Sequence, residues 1–433
     1  MILSADWVLP IDGPPIEHGA VAIGANGRID ADGPAAELGE GERFDGAVIL
    51  PAFVNAHSHL EYAVYVGFGD GLAFGPWLET HIRRKRQLGL AEMEAIARLG
   101  AAQCLASGIG TVGDASFSGA AATACAELGL RGIVYLEVFG RGTEEIGERF
   151  EAARDRLAGT LTDEVRLGIS PHAPYTCSTE LYAACFELGL PVATHLAESA
   201  DEQAWLRGDG GDWEQYADLL VPPLGTTGIR SLAANGLLDE RVVGAHCVQV
   251  DEEEIALLAE HDVAVAHCPR SNGYLGCGVA PVRALLDAGL RVGIGTDSPA
   301  STPSFDMFDE LRAAVVGARA REQRPDALTA AEALELATVG GARALGLEDE
   351  IGTLAAGKQA DLTVVSLAGT PYLPWEDPAS AVVLGGSPER VTATLVAGRP
   401  RYRRGGMEWH ELTGAAHNAR GRMLHASAST SSP

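Results

Sequence analysis

Lysine is nearly missing from this 433-residue chain: of 32 basic residues only Lys85 and Lys358 are lysines. Positive charge as a whole is scarce, since 59 acidic residues leave a formal net charge of −27. A surface that acidic repels phosphate backbones and anionic headgroups, which argues against nucleic acid and membrane surfaces as partners. No apolar run reaches the roughly 18 residues needed to span a bilayer. The opening MILSADWVLP has no basic region leading into a long apolar stretch, so a cytoplasmic location is expected. The seven cysteines are odd in number and form no CxxC pair, which fits reduced thiols better than a disulfide framework. Apolar residues make up 46% and charged residues 21%, so a large core can form. The length suits one large domain with an accessory, or two to three ordinary domains.

The first 48 residues read as short strands separated by Gly, Asp, Asn and Pro. From there the texture changes. Eight short apolar runs, beginning near residues 48, 108, 132, 166, 191, 241, 263 and 291, alternate with segments of helical period such as AEMEAIARLGAAQCLASG and DEEEIALLAEHD. Continuous apolar runs suit strands buried on both faces, and eight such units predict an α/β fold, a closed (β/α)₈ barrel over residues 49–344. A six-unit open sheet is the competing reading. Residues 1–48 and 345–410 are expected to combine into one small β-sandwich, and 420–433 to form a flexible tail.

The polar residues stand where a barrel would use them. Side chains at the C-terminal strand ends converge on one face, which holds the active site in such folds. His57-Ser58-His59 ends the first run, His172 the fourth, His195 with Glu198 the fifth, His246 the sixth, His267 the seventh and Asp297 the eighth. A lone histidine is more often a satisfied core or surface residue; six in register with strand ends are not. Alternation along a strand points His57 and His59 the same way, as two imidazoles on one metal require. Three imidazoles and one carboxylate, here His57, His59, His195 and Asp297, suit Zn²⁺ or Fe²⁺. Cys247 and Cys268 each follow a site histidine and are read as core thiols. With no lysine in a strand run, a carbamylated lysine bridging two ions is excluded, which argues for one metal. A metal-bound water becomes a nucleophile near neutral pH. Glu198 then suits a proton shuttle, against the alternative of a helix cap. His246 suits orientation of the attacking group or the developing oxyanion, and Asp297 can also take the water proton.

With these residues in place, the ordered motifs PAFVNAHSHLE, SPHAPYTCS, THLAES, GAHCV, HCPRSN and GTDSPASTPS resemble the amidohydrolase superfamily. Within it the chain is similar to the group holding adenosylhomocysteine deaminases, chlorotriazine hydrolases and aminodeoxyfutalosine deaminases. The resemblance implies a deformed (β/α)₈ barrel with an accessory β-sandwich, a single divalent metal, and deamination of an aromatic amino-heterocycle. It matches His57, His59, His195 and Asp297 to the metal ligands. Glu198 matches the acid that protonates the ring nitrogen, His246 the histidine that polarises the attacked centre, and His172 a sugar contact. HSHLE, GLAFGPWLETHIRRKRQ and HCPRSN look most like the aminodeoxyfutalosine deaminases of menaquinone synthesis.

Relatives acting on adenosylhomocysteine or methylthioadenosine commonly hold the ribose with an acidic residue shortly after the Trp-Leu segment. Here that stretch is the basic Arg83, Arg84, Lys85 and Arg86, either a solvated helix face or a ligand contact. Arg270 could bind a substrate carboxylate or serve structure, Trp77 could stack on an aromatic ring or sit in the core, and Glu61 is a further candidate contact. The expectation is thus a deaminase of an aminopurine nucleoside, with aminodeoxyfutalosine leading. The alternatives are an adenosylhomocysteine, methylthioadenosine, guanine-like, pterin or triazine aminohydrolase, a chlorohydrolase, and a non-catalytic scaffold. A small-molecule amino-heterocycle is the expected partner, and the resemblance also implies a homodimer.

Overall fold

The computed structural model describes residues 1–369 and 375–428. Eight strands lie in chain order in one sheet: Phe53–Ser58, Ile109–Ser116, Arg131–Val138, Val165–Pro171, Val192–Leu196, Val242–His246, Ala264–His267 and Val292–Ile294. Every neighbouring pair is parallel. A parallel bridge between Ser58 and Asp297 joins the first strand to the segment after the eighth. The expected (β/α)₈ barrel is therefore present, and the open-sheet alternative falls away.

Packing explains why these runs are strands. Small inward residues, among them Ala56, Ala193, Ala264 and Ala266, cluster with Ile133 and Tyr135 in the lumen, and Leu345, Leu347 and Ile351 form the floor. Gly168 leaves room for the one large ring there, since a Cβ on it would lie 2.4 Å from Tyr135. Outside, helices Leu90–Ala106, Ala120–Leu128, Thr179–Glu187 and Glu252–Glu260 bury apolar faces on the sheet. Their starts follow capping chemistry: Ser178 accepts the N–H of Leu181, and Asp251 with Glu254 forms a capping box.

The two chain ends form a second sheet. Its order is Arg399–Arg403, Val391–Val396, Leu362–Ser366, Glu42–Pro51, Ile2–Val8, Gly19–Ile23 and Ile29–Pro34, with Ile16–Glu17 paired to Ile2–Val8. It curls over its own core, which holds Leu3, Val21, Ile49, Leu362 and Leu395. Its two ends meet where the Ala360 N–H donates to Gly27 and the Gly398 N–H donates to Ala360. A buried ion pair ties this sheet to the barrel. Arg131, on the third barrel strand, reaches Asp361 at 2.9 Å, with side chains 3% and 4% exposed.

Three sequence expectations need correction. The apolar run at 48–57 is not one strand: Glu42–Pro51 belongs to the end sheet and Phe53–Ser58 to the barrel. A continuous apolar run cannot reveal where the chain passes from one sheet to the other. Residues 345–351 pack into the barrel floor rather than the end sheet. The expected flexible tail from 420 is, through Ala428, part of a helix spanning Trp409–Ala428. Ala416, Ala419 and Met423 are buried on the body of the protein, while Arg420 lies 4.1 Å over the Phe68 ring and donates to the carbonyls of Val64 and Val66. Its many small and polar residues hid that face. The remainder of the tail, 429–433, lies outside the described residues. Among those described, no helix is long and apolar enough to cross a membrane.

Candidate active site

The C-terminal strand ends gather the predicted histidines. His57 ends the first strand, and its ring centroid lies 4.9 Å from that of His59 and 5.0 Å from that of His195. His59 Nε2 and His195 Nε2 are 3.4 Å apart. Asp297 Oδ1 lies 3.8 Å from His57 Nε2 and 3.6 Å from His59 Nε2. The four side chains proposed as one ligand set thus meet in one place, and all are buried.

Their hydrogen bonds set which atoms face inward. His59 Nδ1 donates to the Ala115 carbonyl at 2.8 Å, and His195 Nδ1 donates to the His172 carbonyl at 2.8 Å. A carbonyl accepts only, so each neutral ring presents a bare Nε2 lone pair. His57 Nε2 is buried without a hydrogen-bond partner. Asp297 Oδ2 accepts from Ser271 Oγ and Ser301 Oγ, both at 2.6 Å, which leaves Oδ1 for the cluster. Acceptors converging with no donor between them repel one another unless a cation lies among them, so the donor set fits a divalent metal. Burial pushes the His57, His59 and His195 rings down, His195 to about 4, so they stay neutral as ligands must. Burial opposes the charge on Asp297, while the Ser271 and Ser301 hydroxyls favour its carboxylate form.

His246 and Glu198 stand beside this cluster, with His246 Nε2 3.6 Å from Glu198 Oε1 and His246 Nδ1 2.9 Å from Asn272 Oδ1. Burial, then the nearby Asp297, pushes the Glu198 carboxyl well above its ordinary range, so it can hold a proton. Glu198 is not the helix cap, a duty that falls to Ser199, whose hydroxyl accepts the Glu202 N–H. The strand ends are strained: Ala197, His246, Cys247 and Asp297 all take positive φ, between 45° and 74°. Such backbone persists only where surrounding structure imposes it, as at functional sites. Cys247 has left the extended conformation, yet it is the buried thiol expected of it, as are all seven unpaired cysteines.

A cavity of about 620 Å³ opens over the cluster and holds His172, Glu198 and His246 on its wall. Its size is ordinary for a small-molecule site. His172 lies tilted against His195 with ring centroids 4.7 Å apart. Trp77 lines the cavity too, while its Nε1 donates to the Ala300 carbonyl at 3.2 Å, so it serves both wall and core.

Two expected substrate contacts are elsewhere. Glu61 accepts from Ser116, from the Ser118 N–H and Oγ, and from the Ala120 N–H, fixing the start of the helix Ala120–Leu128. Arg270 is turned away into an ion pair with Glu310 at 2.6 Å and a bond to the Ser304 carbonyl. Both are polar residues beside a motif, and sequence cannot tell a wall from its support. The basic stretch divides. Arg83 is exposed, Arg84 lies 3.8 Å over the Phe68 ring, and Lys85 and Arg86 line the cavity. The sequence reading missed Glu137, Arg149, Phe117 and Phe139 on the wall. Glu137 had left a signal, as the one acid inside the apolar run GIVYLEVFG.

Comparison with known proteins agrees with this geometry. Residues 48–401 match the model of the amidohydrolase family. The chain is 35% identical to a 5-methylthioadenosine/S-adenosylhomocysteine deaminase of Moorella thermoacetica, covering 92% of this chain and 93% of that protein. It is 32% identical to a 5'-deoxyadenosine deaminase of Methanothermobacter thermautotrophicus, over 92% of each. Among solved structures, an adenosine deaminase of Xanthomonas campestris with bound zinc superposes with a TM-score of 0.86 at 31% identity, over 98% of both chains. The chain belongs to the amidohydrolase family.

Proposed function

We propose that this protein is a metal-dependent hydrolytic deaminase of an adenosine-like nucleoside. The carrying observation is the donor-free convergence of His57, His59, His195 and Asp297 beneath a cavity that also presents Glu198 and His246. Those four side chains would hold one divalent cation, Zn²⁺ by analogy with the zinc-bound neighbour. The cation's contribution is to acidify a bound water and polarise the attacked carbon. Glu198, kept protonated by burial, gives its proton to the ring nitrogen next to the amino-bearing carbon. His246, whose Nδ1 donates to Asn272 Oδ1, presents a bare Nε2 that can accept a proton from the attacking water. Ammonia is the leaving group.

The substrate class rests on relatives and on cavity size. Three similar proteins are named for deamination of adenosine or its 5'-modified forms. The cavity exceeds what a bare nucleobase needs, which supports a nucleoside carrying a 5' substituent. Methylthioadenosine and adenosylhomocysteine fit that description, and 5'-deoxyadenosine is the smaller nucleoside that a similar protein is named for. Aminodeoxyfutalosine fits it as well, and the basic Arg86 on the wall supports its carboxylate. An ammonia-release assay on the zinc-loaded protein tests the reading, using these four nucleosides, adenosine, adenine and guanine. Release from a 5'-substituted adenosine, with the free bases much poorer, is the expected result. No ammonia from any nucleoside, with one equivalent of metal bound, overturns it.

A further inference from the structure

Glu137 has no task in the chemistry above, yet it occupies costly ground. It stands at the end of the third barrel strand, two residues above Tyr135 on the same inward face, and lines the cavity. It is 3% exposed, makes no ion pair with any described residue, and its Oε2 is buried without a hydrogen-bond partner. A carboxylate is costly to bury unless donors meet it. The missing donors must therefore come from what fills the cavity.

Lys85 reaches the same region from the helix Phe74–Lys85. Its Nζ lies 3.8 Å over the Phe117 ring and 5.5 Å from the rings of Phe139 and Tyr62. No carboxylate lies within ion-pair distance of it among the described residues. Arg149, also against Phe117 at 4.4 Å from the ring centroid, is already matched by Glu145 at 3.6 Å. The wall thus presents one unpaired acceptor and one unpaired donor. A run of rings fixes their place relative to the metal cluster: His195 to His172 at 4.7 Å, His172 to Phe139 at 4.9 Å, Phe139 to Phe117 at 6.1 Å.

A group that is both donor and acceptor answers such a pair better than a pure anion or cation, and hydroxyl is that group. Resting on the deaminase reading, we propose that Glu137 accepts hydrogen bonds from the vicinal hydroxyls of the substrate's sugar, with Lys85 donating to a hydroxyl oxygen beside it. The base then lies over the metal cluster and the furanose lies past His172. Glu137 acts as a specificity determinant on a strand, not on the helix Phe74–Lys85 that carries Trp77.

The test uses the best 5'-substituted adenosine substrate with its 2'-deoxy, 3'-deoxy and 2',3'-dideoxy forms. In the wild-type holoenzyme each lost hydroxyl is expected to lower kcat/KM roughly 10- to 100-fold, the range for hydrogen bonds to a charged partner. In Glu137→Gln and Glu137→Ala the ribose substrate loses a comparable factor, mainly through KM, while the ribose-to-dideoxy ratio collapses toward one. Lys85→Met moves the ratio the same way by less. Metal content is unchanged throughout. Wild-type enzyme indifferent to the hydroxyls overturns the proposal even where the variants fail to fold. Variants with an undiminished ratio overturn it as well. Wild-type enzyme that releases ammonia from no nucleoside removes the deaminase reading itself, and the sugar subsite with it.

Discussion

The backbone N–H of Asp297 donates to the carbonyl of His57 at 3.0 Å, so the contact that closes the barrel also sets two candidate metal ligands side by side. Closure is made by main chain and the metal cluster by side chains. The two can therefore be separated by substitution.

Asp297→Asn should keep the fold and lose the metal. The amide removes the negative charge at Oδ1 and places a donor among imidazole acceptors, while the backbone contact to His57 is untouched. We expect metal affinity to fall by more than about 100-fold, beyond the usual effect of altering a ligand's supporting partner. Elemental analysis after dialysis, alongside circular dichroism, checks it. Retention of a full equivalent of metal would remove Asp297 from the ligand set.

Glu198→Gln should show the converse, with metal retained and turnover lost. The amide fills the same space beside His246 but has no acidic proton to give. A fall in kcat of roughly 10²- to 10⁴-fold is expected, the usual span for a lost general acid. Steady-state ammonia release with metal content on the same sample decides it.

Glu202 predicts a pH dependence of stability. It accepts the N–H of Ala197 at 3.1 Å and of Glu198 at 2.7 Å, and burial pushes its carboxyl up to about 8. In the unfolded chain it ionises near 4.5. Between those values the folded chain keeps a proton that the unfolded chain has released, so this contribution is full below 4.5 and is lost as pH rises toward 8. The Tm of wild type relative to Glu202→Gln should therefore decrease between pH 5 and pH 8. Thermal melts at matched metal concentration measure the difference, and a constant offset across that range rejects the assignment.

Arg131→Met should destabilise by about 3–5 kcal/mol, because it strands the buried Asp361 carboxylate. Asp361 also accepts the Ala397 N–H at 2.7 Å, so the loss is felt where the end sheet meets the barrel. Urea unfolding should show the drop, with kcat per folded molecule unchanged. An Arg131→Met, Asp361→Leu double variant should recover part of it.

Arg420→Ala tests the terminal helix. The guanidinium holds the Val64 and Val66 carbonyls and covers Phe68, in the segment that follows His59 and Tyr62. Loss of that clamp should cost about 1 kcal/mol and raise KM several-fold with kcat nearly constant. A mobile tail would leave both parameters unmoved.

The chain's residue order alone determined the barrel and its rim chemistry. Alternation of short apolar runs with helical segments is a local pattern, and so is a histidine or aspartate at the end of six of the eight runs. His57, His59, His195, His246, Glu198 and Asp297 were legible because they sit in four short motifs at strand ends, and barrel geometry brings strand ends together whatever the loops do. The tertiary structure alone decided what depends on direction and partner. Glu61 and Arg270 are polar neighbours of the motifs, but each spends its hydrogen bonds on the scaffold. Lys85 and Glu137 come from distant segments and meet only across the cavity wall. The helix Trp409–Ala428 is weakly apolar by composition, and only the surface it covers makes it fold there. Such roles are set by which side chain meets which across space, a relation that linear order does not contain.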